Sequence, residues 1–133
     1  MTNASTTAYS VLSLPALDDD APAGGLGDAM EARFAGRALG CETIGLSLQR
    51  VPPDGHVPFA HRHANDEEVY VVVRGSGRAL VDGATVELRP LTALRVAPSA
   101  ARSFAAGGDG LEFLAFGAHT ADDSEILPDP WTG

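Results

Sequence analysis

Lysine is absent from this chain of 133 residues, and all nine basic side chains are arginine. Schiff-base chemistry therefore has no nucleophile here. Eighteen acids outweigh the nine arginines and leave a net charge of −9. That balance argues against nucleic acid and against anionic membrane as partners. No apolar run approaches the roughly 20 residues that span a bilayer. The N-terminus shows no basic segment followed by an apolar one, so no secretory signal is expected. One cysteine, Cys41, excludes an internal disulfide, suits a reducing cytoplasm and reads as a small buried thiol. No serine shares a motif with a histidine, which leaves a nucleophilic triad without support. Gly75-Ser76-Gly77 lacks the residues that complete a phosphate loop or a dinucleotide fingerprint.

What is present is a series of short strands with turn signals between them. Met1 to Thr7 reads as a frayed end and Tyr9 to Leu14 as a short strand. Pro15 to Asp28, rich in Asp, Ala, Gly and Pro, reads as a mobile loop. Asp28 to Leu39 is open between two structures. Asp28 and Glu31 mimic a capping box and Gly40 would stop a helix, but the alternation around Ala32 and Phe34 suits a strand. Ile44, Leu46 and Leu48 alternate with smaller or polar residues, the pattern of a half-buried strand. Asp82-Gly83, between Arg78–Val81 and Ala84–Leu88, is a strong hairpin signal. Leu94–Ala97, Arg102–Ala105 and Leu111–Phe116 add strands, with Gly107 to Gly110 as a tight connection. Such a chain predicts a single all-β domain, a sandwich or barrel.

Gly55 to Gly77 holds the residues arranged for chemistry. His61 and His63 are two apart in an extended run, so both imidazoles leave the same face of the strand, which continues back through Phe59 and Val57. Glu68 opens the next strand after the connector Ala64–Glu67, and a hairpin there would return it to the histidines. Two imidazoles and one carboxylate make the first shell of a divalent metal. Tyr70 shares a face with Glu68 and reads as a wall residue whose hydroxyl could reach a ligand. Glu67 and Arg62 point the other way, and His56 and His119 read as surface histidines.

The spacing runs Gly55, five residues, His61, one residue, His63, four residues, Glu68, six residues, Gly75. It resembles the first signature motif of the cupins, double-stranded β-helix (jelly-roll) barrels. That resemblance implies a barrel over 42–117, an N-terminal extension over 1–41 with a loop and a possible swapped strand, and an acidic tail over 118–133. It also implies His61, His63 and Glu68 as metal ligands and a homodimer as the assembly. In the tail, the lone Trp131 is expected on the domain's flank or on a partner subunit.

The second cupin motif is degenerate. In LTALRVAPSAARSFAA, Leu91 stands for the first glycine, Ala97 for proline, Ser99 for the second glycine and Ala106 for asparagine. Arg102 stands where the fourth ligand, a histidine, would be. A guanidinium has no lone pair to offer a metal. Its charge ~4 Å from a divalent ion would cost about 8 kcal/mol at an effective dielectric of roughly 20. Two arrangements stay open. In one, a three-ligand metal (Fe, Mn, Zn or Ni) keeps open positions and Arg102 clamps an anionic substrate, with Tyr70, Phe59 and Phe104 as further substrate contacts. In the other, Arg102 pairs with Glu68 and the pocket is metal-free. The first implies a metal-dependent enzyme of oxygenase or isomerase type acting on a small anionic molecule. The second implies a small-molecule carrier or sensor.

Overall fold

Two long strands bend through the whole molecule and belong to both of its layers. The computed structural model describes residues 4–5 and 8–131, so most of the end expected to fray lies outside the described residues. In chain order the strands are β1 (Ala4–Ser5), β2 (Ser10–Val11), β3 (Glu31–Phe34), β4 (Ile44–Val51), β5 (Ala60–His63), β6 (Glu68–Val81), β7 (Ala84–Leu88), β8 (Ala93–Val96), β9 (Arg102–Ala118) and β10 (Ser124–Leu127). β1 and β2 form a small hairpin, and the other eight make one antiparallel sheet. Its first layer runs β8-β6-β9-β4-β3 and its second β7-β6-β9-β5-β10. The curled sheet closes on itself as a jelly-roll barrel, as expected for an all-β chain. Among the described residues no helix is long and apolar enough to cross a membrane.

β6 and β9 are continuous where the sequence suggested breaks. Gly75, at φ 76°, and Gly77 bend β6 without ending it, and register shifts mark the bend. A side chain at Gly75 would collide with the carbonyl oxygen of Gly110 on β9, so the layers can approach there only without one. Opposite, Gly107 to Gly110 bulge out of β9 between Ala106, paired with Gly77, and Leu111, paired with Gly75. Glycine here turns a corner.

Inward residues of both layers make the core. Tyr70 pairs with Leu94 and Ala115, Val72 with Phe113, and Ala79 with Phe104. The rings of Tyr70, Phe104 and Phe113 stack with centroids 4.6 to 5.8 Å apart and close the floor of the barrel. Burying each such ring contributes about 2 kcal/mol. The faces of β4 are reversed from the simplest reading. Ser47 points inward beside Ala115, while Ile44 is 56% exposed. The β4–β9 register decides this, because it places Leu46 and Leu48 with Phe116 and Leu114 on the outer surface.

The N-terminal segment resolves both open readings. Glu31 to Phe34 is a strand, paired with β4 of its own chain, and Gly36–Leu39 is a single helical turn (α1) ended by Gly40. The stretch 15–28, expected to be mobile, is ordered by two short 3-10 turns and by Asp19, whose carboxylate accepts the Ala21 and Ala32 amides at 3.0 and 2.9 Å. Cys41, expected to be buried, is exposed just past the left-handed Gly40 that ends the helical turn. The tail is no appendage, since β10 pairs with β5 along 124–127. Trp131 lies on the domain's own flank, donating Nε1–H to Ser103 Oγ at 2.8 Å beneath the Arg78 guanidinium.

Asp82 and Gly83, both at positive φ, make the expected two-residue hairpin. Leu91 is less comfortable. Arg89 to Thr92 is a turn closed by Thr92 N–H on the Arg89 carbonyl at 2.9 Å, with Pro90 second and Leu91 third at φ 66°. That is a type II turn, whose third position favours glycine. Leu91 is 82% exposed, so it gains no packing in return. Leu91→Gly is expected to stabilise the protein by about 1 kcal/mol, read as a higher urea midpoint with an unchanged slope.

Candidate metal centre

β5 and β6 do not pair with each other as a hairpin. β5 sits between β9 and β10 in one layer, whereas Glu68 opens β6 in the other, paired with Gly117 and Val96. The connector 64–67 crosses between layers, so the three side chains meet across the barrel interior. His61 Nε2 lies 3.3 Å and His63 Nε2 3.1 Å from the same oxygen, Glu68 Oε1. With metal–ligand bonds of about 2.1 Å, neighbouring donors stand roughly 3.0 Å apart in an octahedron and about 3.4 Å apart in a tetrahedron. The two separations fall inside that window. Two imidazole nitrogens and one carboxylate oxygen also form a donor set that borderline divalent metals accept. These residues fit a divalent ion.

Tyr70 is buried and donates its hydroxyl to Glu68 Oε1 at 2.5 Å. Burial most of all, and then the Glu68 charge, push the phenol well above its usual range, so it remains a donor. For Glu68 itself, burial opposes ionisation and is the largest single effect. The hydrogen bonds from His61 and Tyr70 and the charges of both histidines outweigh it, and the carboxyl is lowered from 4.5 to about 2.

Arg102 is the cross-strand partner of His61, on the inward face, and is 0% exposed. Its Nη1 donates to the carbonyls of Ala100 at 2.9 Å and Pro98 at 3.2 Å, with His61 O more distant at 3.5 Å. Its Nη2 lies 3.5 Å from Ala97 O and 3.7 Å from Glu68 Oε1, a long ion pair and not a hydrogen bond. Its charge is thus held chiefly by one turn of backbone, the turn that has alanine and serine where the motif has proline and glycine. Sequence reasoning offered this arginine a substrate or Glu68 as partner and did not consider main-chain carbonyls.

Two acids escaped the sequence reading altogether. Asp123, from the tail, places Oδ2 3.3 Å from His63 Nδ1, a charge contact whose geometry falls short of a hydrogen bond. The same carboxylate accepts the amides of Asn65 and Asp66, at 3.0 and 2.8 Å. Burial acts against its ionisation, but these amide bonds and His63 prevail and hold the carboxyl below its usual value. Asp66 accepts both the amide and the hydroxyl of Thr120, at 2.7 and 2.8 Å. Asp123 belongs to no local motif, and only β10 pairing beside β5 brings it under His63.

The remaining residues are distributed as follows. Phe59 is half-buried in the cavity wall and Phe104 buried in its floor, whereas Tyr70 lies behind Glu68 and lines no part of the cavity. Glu67 is exposed and paired with Arg95, and Arg62 is exposed and paired with Glu125. His56 is half-buried, with Nε2 3.0 Å from Asp129 Oδ2, while His119 is exposed. The three convergent donors stand at one end of a cavity of about 390 Å³, within the range of roughly 300 to 1,000 Å³ typical of small-molecule sites.

No protein-family model matches the chain, and no curated protein matches it. Solved structures do. A cupin protein from Bacteroides fragilis is 24% identical with a TM-score of 0.70, over 88% of this chain and 89% of its own. The polyketide cyclase RemF from Streptomyces resistomycificus is 18% identical with a TM-score of 0.71, over 89% and 83%. A sugar phosphate isomerase of the cupin superfamily from Silicibacter pomeroyi is 16% identical with a TM-score of 0.68, over 89% and 92%. Likeness at these identities establishes the fold and leaves the chemistry to the site.

The depressed Glu68 carboxyl has a measurable consequence in the metal-free protein. Its ionised form favours the fold by roughly 3 kcal/mol above the unfolded value of 4.5, and that contribution is lost as the pH falls through about 2. Melting in chelator is expected to show a steeper decline between pH 4.5 and 2 in the parent protein than in Glu68→Gln. Parallel curves would contradict the geometry.

Proposed function

From the cupin fold of this chain we propose that His61, His63 and Glu68 hold one divalent metal and that the adjoining cavity takes a small molecule. The observation that carries the reading is the meeting of the three donors at separations of 3.1 and 3.3 Å, at the polar end of an apolar cavity. A metal with three protein ligands keeps open positions and supplies Lewis acidity or, if it is iron, oxygen chemistry. Fe, Mn, Zn and Ni all suit the donor set.

The chain's own groups have definite tasks in this reading. Tyr70, kept protonated by burial, donates to Glu68 and fixes the orientation of its carboxylate. Asp123 beside His63 Nδ1 favours the proton on that nitrogen, which turns the Nε2 lone pair toward the site. Arg102, whose Nη1 donates to the Pro98 and Ala100 carbonyls, braces the turn before β9 and leaves its fourth-ligand position without a donor. The fold supports an isomerase- or oxygenase-type enzyme and equally a ligand carrier, and its structural neighbours include proteins described as an isomerase and a cyclase. A metal-free pocket is the second reading, favoured by the 3.7 Å approach of Arg102 to Glu68.

Elemental analysis separates the two. The purified or metal-loaded protein is expected to carry near one equivalent of divalent metal, and His61→Ala to carry almost none. No metal after loading would leave the Arg102–Glu68 pocket as the answer.

The outer face of the first layer supports a homodimer. Leu46, Leu48, Val69, Val71, Leu114 and Phe116 lie side by side there, with Phe116 38% exposed. Phe116→Glu is expected to convert a dimer to a monomer in light scattering, and a parent protein that is already monomeric would remove this assembly. A reducing cytoplasm suits the exposed lone thiol of Cys41.

A further inference from the structure

Resting on the reading that the cavity is the ligand site, we infer that its ligand is an uncharged, largely apolar molecule that presents its polar group only to the His61–His63–Glu68 end. The anion suggested by an arginine in the second motif does not match how that arginine is held.

Large apolar side chains line most of the wall, with Ser47 and Gln49 of β4 and Thr120 among the polar residues between them. Ala21, Leu26 and Met30 come from the ordered segment before β3, Phe34 from β3, Phe59 from the approach to β5, and Ile126 from β10. Phe34 and Ile126 remain 56% and 65% exposed, so two large apolar side chains stand at the mouth without packing partners to account for them. A ligand with an apolar body would remove both from water.

The charges arranged around the cavity point the same way. Among the described residues Arg102 is the one arginine in the lining, and it shows no exposed surface. Its Nη1 is taken by carbonyls, its Nη2 leans on Ala97 O and Glu68, and its buried Nε has no partner and no surface through which a ligand could reach it. Asp66 and Asp123 are buried, and their carboxylates already accept hydrogen bonds from Thr120, Asn65 and Asp66. Of the carboxylate and guanidinium groups in the lining, those exposed to solvent are Asp20 and Asp122, with the polar side chains of His119, Thr120 and Ser124 beside them. An anionic group on the ligand body would lose its hydration among carbon atoms, beside two acids and with no unengaged arginine donor. A metal at the three donors would add attraction for one polar group at that end, and a neutral hydroxyl or carbonyl oxygen can fill that place.

A matched pair of fluorescent probes tests this: phenylnaphthylamine, which is neutral, and anilinonaphthalene sulfonate, which is built on the same rings and carries one negative charge. Both are titrated into the full-length protein in chelator and again after metal loading. The neutral probe is expected to bind saturably at one site, about tenfold or more tighter than the sulfonate in chelator. Phe34→Asp and Ile126→Asp, at positions already more than half exposed, are expected to weaken it about tenfold each while leaving the melting curve in place. Val73→Asp, at an exposed apolar position outside the cavity, is expected to leave it unchanged. Equal or tighter binding of the sulfonate in chelator would overturn the inference. So would a neutral-probe signal that survives both mouth variants. The chelator arm does not depend on the metal count, so failure of the metal reading and failure of this one are separate results.

Discussion

One oxygen atom organises the interior of this barrel. Glu68 Oε1 receives the Tyr70 hydroxyl, faces both histidine Nε2 atoms, and has the Arg102 guanidinium 3.7 Å away. An ionised carboxylate can remain this far from bulk water only because donors and positive charge surround it, and those same surroundings hold its carboxyl near 2. The two layers are joined at this point by polar contacts, since Glu68 belongs to β6 and the histidines to β5. Everything chemical about the site follows from that bridge between sheets.

The buried arginine is the second constraint. A guanidinium with no exposure needs partners for its donors, and here most of them are carbonyl oxygens of the turn 97–100. The cupin motif has a proline and a glycine in that turn. In this chain Ala97 and Ser99 take those places with Pro98 between them, and the arginine ties the turn together through its carbonyls. The position that would give a fourth metal ligand is thus occupied by a side chain that braces backbone, which leaves a three-donor face in a mostly apolar cavity.

Part of this was legible in residue order. The period-two alternation, the Asp82-Gly83 hairpin and the spacing from Gly55 to Gly75 led to an all-β jelly roll and to His61, His63 and Glu68 as one group. Other features were not legible. Gly75 and Gly107 to Gly110 look like strand ends in a list of residues, because glycine weakens any strand pattern, yet at a barrel corner glycine lets a strand bend and continue. Ile44, Leu46 and Leu48 look like core, yet the register with β9 turns them outward and brings Ser47 in. Asp123 sits in an acidic tail that offers no motif, and only the pairing of β10 with β5 carries it to His63.

The sequence by itself determined which donors exist and how far apart along the chain they lie, because side-chain direction on an extended strand repeats every two residues and local spacing fixes it. It could not determine what each buried group would find as its partner. That depends on contacts between residues far apart in the chain, such as Glu68 with His61 across the two layers, or Arg102 with the carbonyls of its own turn. Only the closed barrel decided that the arginine would meet main-chain carbonyls, because burial without exposure demands hydrogen-bond acceptors and the nearest ones were main-chain oxygens.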